Sequence, residues 1–385
     1  MSLVNVKLNP PDFTRKGLVE APDVHLVGVE KAGVAPSGFY LTDHQPTYYK
    51  VDGQWQIPPH SSLNCVARLK DGAIEIVELC DLLPGDQVVI GRKKDGSEGI
   101  LPYAEGFPES LRRPAGMAVE TSSTRRYQEL FELMRQVRKE GGKIIWTLGP
   151  SVVFDHDTRL ALSALAEAGY VQGLLGGNAI LTHDLEGGYI GTALGQDIYT
   201  QESMPLGHYN HLDTLNDIRR MGSIQAFIDA GHVKNGFVKT LVRLGIPFYG
   251  AGSIRDDGPL PEVTGEVHDS LRDAKACLDQ ASLIISLATQ LHSVSNAELA
   301  SSYRINEQGA VLPVIFYNID VTENVTNKVS AARGHIAVRT MVTNVQDFVV
   351  NTQKELVPKE LVMELAEREV AEDEALAYDR QDPSL

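Results

Sequence analysis

Three short segments gather the residue types that acid–base chemistry requires. Asn178 is followed by His183, Asp184 and Glu186. His208, Asn210 and His211 stand together with Asp213 behind them. The run Ser253-Ile254-Arg255-Asp256-Asp257 packs an arginine and two carboxylates into one turn. Each segment follows glycine: Gly176-Gly177, Gly207 and Gly250-Ala251-Gly252. Glycines at such points let backbone N–H groups approach a phosphate closely. Carboxylates beside them can bind ribose hydroxyls, hold an ammonium group or act as a base. Aspartate in a turn also caps helices, so Asp256 and Asp257 carry a structural alternative. Arginine's planar fork of donors suits a carboxylate or a phosphate. The three segments are expected to face one cleft, with Asp256 and Asp257 in different roles.

A metal centre is not expected. His208, His211 and Asp213 are ligand types, but the two histidines are three apart at a helix start and no CxxC or HExxH accompanies them. Of the three cysteines, Cys80 and Cys277 lie in runs that read as core, which leaves Cys65 as the one cysteine candidate for catalysis. So sparse and odd a set fits a reducing cytoplasm better than a disulfide framework.

Such residues need a scaffold, and the hydrophobic pattern supplies one. Residues 1–120 read as a β-rich domain: short apolar runs at 24–29, 65–69, 74–79 and 87–90 are separated by Lys70-Asp71-Gly72, Pro84-Gly85-Asp86 and Lys94-Asp95-Gly96 turns. A proline-bearing linker spans 106–117. A helix follows, capped at Ser122 or Ser123 and stopped by Gly141-Gly142. Residues 121–355 then alternate strand and helix: strands at 143–148, 171–175, 246–250, 282–287 and 311–319, helices at 157–168, 212–230, 235–244, 267–280 and 324–332. Repeated βα units imply a parallel sheet with helices on both faces, and ligands at the carboxyl ends of its strands. The GxGxxG fingerprint is missing after the 143–148 strand. Residues 356–385 read as a charged surface or oligomer-contact helix and tail.

Composition agrees. The 385 residues are 43% hydrophobic and 22% charged, the balance of a folded chain too long for one ordinary core. Thirty-four glycines against 6% aromatic residues suit tight strand-to-helix turns. A net charge of −16 argues against nucleic acid or an anionic membrane as partner, and suits a cationic small molecule. The N-terminal stretch lacks the apolar segment of a secretory signal, and no run reaches 18 apolar residues. Asn324-Val325-Thr326 matches a glycosylation sequon by chance.

Taken together, the segments resemble a known family. It comprises archaeal-type ornithine cyclodeaminases, the same module fused C-terminally to bacterial arginine dihydrolase, and lysine-oxoglutarate reductase/saccharopine dehydrogenase-like proteins. The stretches that carry the resemblance are Gly176-Gly177-Asn178-Ala179 with His183–Glu186, His208-Tyr209-Asn210-His211, and the run from Ala251 through Arg255-Asp256-Asp257 to Pro261. Leu291-His292-Ser293, Asp320, Lys328, Arg333 and Gly334 add to it, as do Phe39-Tyr40, His44 to Thr47 and Gly53 to Trp55.

The resemblance implies an α/β chain: a Rossmann-like, parallel-sheet NAD-binding domain of deoxyhypusine synthase type, joined to the β-rich N-terminal domain. It implies conversion of L-ornithine to L-proline and ammonia by a cytoplasmic homo-oligomer, with NAD reduced and reoxidised in place. On this basis Asp257, Glu186, His183 and Cys65 are candidates for catalysis. Gly176, Gly177, Asn178, Asp184, Asn210, Gly252, Ser253, Arg255, Asp256, His292, Ser293 and Asp320 are candidates for holding NAD. This chain departs from the family after Ser293, where Val294–Leu299 replaces a Gly-Asn and Leu-Pro stretch. It departs again after Asp320, where Val321-Thr322-Glu323 replaces Ile-Asn-Pro and one extra residue precedes Arg333. A different amino-acid substrate with net redox turnover, or an NAD-sensing module without catalysis, are the alternatives.

Overall fold

In the computed structural model, residues 6–112, 124–254 and 257–379 are described. After one helical turn, α1 (Lys16–Val19), seven short strands build the N-terminal region: β1 (His25–Gly28), β2 (Thr47–Val51), β3 (Gln54–Gln56), β4 (Val66–Lys70), β5 (Ala73–Val77), β6 (Gln87–Ile90) and β7 (Ile100–Pro102). They form an antiparallel sheet of order β1-β6-β4-β5 and a second of order β3-β2-β7. Asp52-Gly53 and Asp71-Gly72 link β2 to β3 and β4 to β5, and all four residues have positive φ, the conformation that fits a two-residue hairpin to the strand twist.

The rest alternates. Helix α2 (Thr124–Lys139) leads into β8 (Ile144–Leu148), α3 (His156–Glu167), β9 (Gly173–Gly177) and α4 (Asn178–Tyr189). A two-strand ribbon, β10 (Thr192–Ala193) with β11 (Gln196–Asp197), precedes α5 (Asn210–Met221), α6 (Ile224–Asp229) and α7 (Phe237–Leu244). Next come β12 (Phe248–Ala251), β13 (Val263–Thr264), α8 (Val267–Leu278), β14 (Leu283–Leu287) and α9 (Gln290–Leu299). A hairpin of β15 (Tyr303–Ile305) and β16 (Val311–Pro313) follows, then β17 (Ile315–Asp320), α10 (Glu323–Ala332), β18 (Val338–Val342), α11 (Val345–Leu356) and α12 (Lys359–Asp379).

Seven strands form one parallel sheet of order β13-β12-β9-β8-β14-β17-β18. Its inner strands are buried on both faces, which is why β8 (IIWTL) and β14 (LIISL) read as near-continuous apolar runs, each with a single hydroxyl residue. The chain winds outward from β8 to one edge and returns to β14 to fill the other half. The order therefore reverses between β8 and β14, and a crevice lies beyond their carboxyl ends.

On the face under α9, a rung of Ile145, Ile284, Phe316 and Val338 is wholly apolar. Two residues nearer the carboxyl ends, the matching rung is Thr147, Ser286, Asn318 and Thr340. Helix α9 answers it with its own polar side chains. The Ser293 and Ser286 hydroxyls meet at 2.6 Å, and Asn296 donates to Thr147 Oγ1 at 2.9 Å.

The N-terminal region packs on the opposite pole, at the amino ends of the strands. Ser61 N donates to Ser301 Oγ, Tyr303 Oη to Pro58 O, and Ala337 N to Leu111 O, each at 2.9 Å. Leu8, Phe107, Leu111, Tyr303 and Ile336 share one core cluster across this junction. Arg333, fully buried, donates to carbonyls of Ala300, Ser301, Val314 and Ile336, binding α9, β17 and α10 together there. Burial pulls its guanidinium down to about 9.

Several sequence expectations are redrawn. The 212–230 helix is two, broken at Gly222-Ser223, where Gly222 is left-handed and Ser223 caps α6. The 311–319 strand is also two, β16 and β17. Of the linker, 106–112 is described, and it includes a buried Leu111. Its remainder and the caps at Ser122 and Ser123 lie outside the described residues. Helix α12 is more than a surface helix: Leu365 is buried, and Glu369 accepts a 3.0 Å bond from His156 on α3. Among the described residues no helix is long and apolar enough to cross a membrane.

Candidate active site

Strand β9 runs into α4 without a loop. Gly177 is the N-cap, extended at φ −94°, and no side chain caps α4 behind it. At α9, Thr289 is the N-cap and likewise makes no side-chain cap bond. Neither N-cap residue's side chain bonds its helix's first turn, and the two helix starts lie close together: a Cβ on Gly177 would lie 3.0 Å from His292 Nε2. Across the switch point a Cβ on Gly149 would lie 1.9 Å from Ala288 O, so only glycine allows the β8 and β14 loops to meet. Two uncapped helix N-termini beside a glycine floor make a cradle for an anion such as a pyrophosphate. Burial lowers His292's pKa, which keeps its imidazole neutral there at neutral pH.

One flank of the crevice carries a hydrogen-bonded chain. Glu186 is fully buried; its Oε1 accepts from Thr192 Oγ1 at 2.7 Å and Gly195 N at 3.4 Å. Its Oε2 lies 2.8 Å from His183 Nδ1. A carboxylate already accepting two donors takes a third, so Nδ1 carries a proton, and in the neutral ring it is Nε2 that presents the lone pair. Asn210 Nδ2 donates to Thr192 Oγ1 at 2.9 Å, which holds that hydroxyl on Glu186. Beside His183, at 5.8 Å between ring centroids, lies His211, whose Nε2 meets Asp257 Oδ2 at 3.2 Å. The arrangement is two imidazoles, each backed by a carboxylate. It suits proton transfer and the binding of a cation.

Asn178 ties the third segment in. Its amide donates to Gly258 O and accepts from Leu260 N, both at 3.0 Å, and so ties residues 258–260 to the α4 terminus. The structure thus brings together Gly176, Gly177, Asn178, His183, Glu186, Asn210, Asp257 and His292. Gly252 and Ser253 are exposed at the end of β12. Asp320 sits at the carboxyl end of β17, where Oδ1 accepts from Thr322 N at 3.1 Å. Arg255 and Asp256 lie outside the described residues. Among the described residues no group of three His, Cys, Asp or Glu side chains is placed to hold a metal ion.

Three candidates are corrected. Asp184 adjoins His183 in sequence but turns away from it on the helix: Oδ1 accepts from Arg159 Nε and Phe237 N, and Oδ2 from Val238 N at 2.7 Å. It is 1% exposed, a cap for α7 and counter-ion for buried Arg159, and so enclosed away from a ribose. Ser293 is fully buried between α9 and Ser286. Cys65 lies at the amino-end pole beside Thr42 and Glu78, and burial pushes its thiol up to about 12, far from a thiolate at neutral pH. What sequence reasoning missed is Thr192, which no motif announces, and a role for His211, which was placed in a cleft-facing segment but assigned none.

Strand order, switch-point crevice and the helix termini that open onto it together define a Rossmann-type nucleotide-binding protein. Residues 128–351 match the family described as arginine dihydrolase ArgZ-like, C-terminal, Rossmann fold, and the chain belongs to it. The ornithine cyclodeaminase of Archaeoglobus fulgidus is 36% identical over 298 residues, spanning 76% of this chain and 70% of that one. A conserved LOR/SDH protein of Methanococcus maripaludis S2 superposes with a TM-score of 0.76 at 27% identity, over 87% of this chain and 98% of that one. The ternary complex of AgrE with ornithine and NAD⁺ superposes at 0.53 with 30% identity, over 88% of this chain and 46% of that one.

Proposed function

We propose that this chain is an NAD-dependent ornithine cyclodeaminase, converting L-ornithine to L-proline and ammonia. The observation that carries the reading is the Glu186–His183 pair, whose bare Nε2 stands on the same helix that opens the anion cradle. The residues present fit the cofactor. The first turns of α4 and α9 with Gly177 would hold its pyrophosphate, and Gly252, Ser253 and Asp320 lie at the ends of the strands beside them. Bound NAD supplies the hydride acceptor and, once reduced, the donor that returns the hydride. His183 Nε2 takes a proton from the substrate's ammonium and later gives it to departing ammonia. Glu186 holds the imidazole in the required tautomer and stabilises its charged form. The proposal includes a homo-oligomer in the cytoplasm, where the unpaired thiols of Cys65, Cys80 and Cys277 would persist. It also keeps the division at about residue 120.

Incubating the protein with L-ornithine and a trace of NAD⁺ tests this. Proline and ammonia in excess of NAD, with no build-up of free NADH, is the expected outcome. NADH accumulating in step with product would replace the reading with a net amino-acid oxidoreductase.

A further inference from the structure

The two histidines of the crevice present a feature that proton transfer by one of them does not require. His211 Nε2 faces Asp257, so the ring's proton is held there and Nδ1 is left as acceptor; that Nδ1 is buried and has no hydrogen-bond partner among the described residues. His183 Nδ1 faces Glu186, which bares Nε2. The rings are tilted by 50° with centroids 5.8 Å apart, and Phe154 packs edge-on against His183 at 5.6 Å. A buried acceptor without a donor is costly to keep, so a donor belongs in front of it.

We propose that His183 and His211 form a paired acceptor for the distal ammonium of a diamino acid, a deepening that rests on the function proposed above. An ammonium carries three donors and no acceptor, the complement of two bare imidazole nitrogens. The carboxylates of Glu186 and Asp257 behind the rings give the pair a negative potential, which favours a cation. They also decide which ammonium enters. The α-ammonium is two bonds from the substrate's own carboxylate, which Glu186 and Asp257 repel. The distal ammonium is free of that charge. Once seated, it loses one proton: the N–H bond breaks, the proton goes to His183 Nε2, and the amine keeps the electron pair with which it attacks. His211 Nδ1 holds a second N–H and so keeps the amine in place.

The test compares L-ornithine with L-norvaline, which has the same carbon chain and lacks the distal amine. Affinities are measured by calorimetry on protein saturated with NADH, which blocks turnover. The wild type is expected to prefer ornithine by at least about tenfold, since a site built around a donor rejects the analogue that lacks it. His211→Phe should bring the two affinities together while NADH binding and Tm hold. His211→Gln, which restores an acceptor, should regain part of the preference. A wild type that does not discriminate, or a His211→Phe variant that still does, overturns the clamp. Proline formation is scored separately: a protein that discriminates but makes no proline refutes the cyclodeaminase reading and leaves the clamp standing.

Discussion

Glu186→Gln should stop turnover without unfolding the protein. The substitution keeps shape, and the new amide must choose an orientation. Thr192 Oγ1 and Gly195 N both donate to one oxygen, so the amide carbonyl goes there. The NH₂ then points at His183 Nδ1, 2.8 Å from the original oxygen. Two donors cannot face each other, so the imidazole proton moves to Nε2, and the lone pair that should take the substrate's proton is lost. The same exchange of carboxylate for amide behind a catalytic histidine costs about 10⁴-fold in the serine protease template. A fall of about 10³ to 10⁴ in kcat is expected here, or about 4 to 5.5 kcal/mol of activation free energy. Folding should change by only about 1–2 kcal/mol, because every hydrogen bond keeps a partner. The assay is rapid-quench proline formation read by mass spectrometry, with NADH binding and Tm as controls. A kcat within tenfold of wild type, with both controls unchanged, would remove Glu186 and His183 from the mechanism.

The corrected residues make opposite predictions. Asp184→Asn leaves Arg159 charged and 1% exposed, so denaturant unfolding should show a loss of about 3–5 kcal/mol, with NADH affinity of the folded fraction unaltered. Weakened NADH binding without loss of stability would return Asp184 to the cofactor. Cys65→Ser should leave kcat within twofold, and alkylation of Cys65 by iodoacetamide at neutral pH should be slow because burial holds the thiol near 12. Its hydrogen bond to Glu369 raises His156's pKa, so the bond stabilises the fold fully below the unfolded value of about 6.5 and fades as pH rises through the folded one. The Tm gap between wild type and His156→Gln should therefore shrink towards alkaline pH; a gap constant with pH sinks this.

The parallel sheet was legible because inner strands buried on both faces stay mostly apolar, as in β8 and β14, where only Thr147 and Ser286 interrupt the run. The glycine turns marked their carboxyl ends for the same local reason. Helix α4 was not legible. Buried on nearly every side, it carries a carboxylate pair to unlike neighbours and two glycines, and so shows no amphipathic stripe. Those glycines exist for the surroundings: a Cβ on Gly187 would press on the Arg159 guanidinium, and one on Gly188 would stand 2.2 Å from Asn235 O. Helix α9 hid likewise, since its inward residues answer a polar rung. Asp184 was misread because adjacency in sequence suggests a common target, whereas neighbours on a helix point about 100° apart. Cys65 was misplaced because chain position carries no information about which pole of the sheet a β-rich segment will cover.

That the N-terminal region covers the amino-end pole has an architectural consequence. Leu8 already pairs with Val311 there, so any polypeptide grafted ahead of it emerges on the hemisphere facing away from the crevice. A second catalytic module, an affinity handle or a surface tether can be added at that end without shadowing the mouth through which substrate must pass. Gene fusion upstream is, for this scaffold, geometrically neutral.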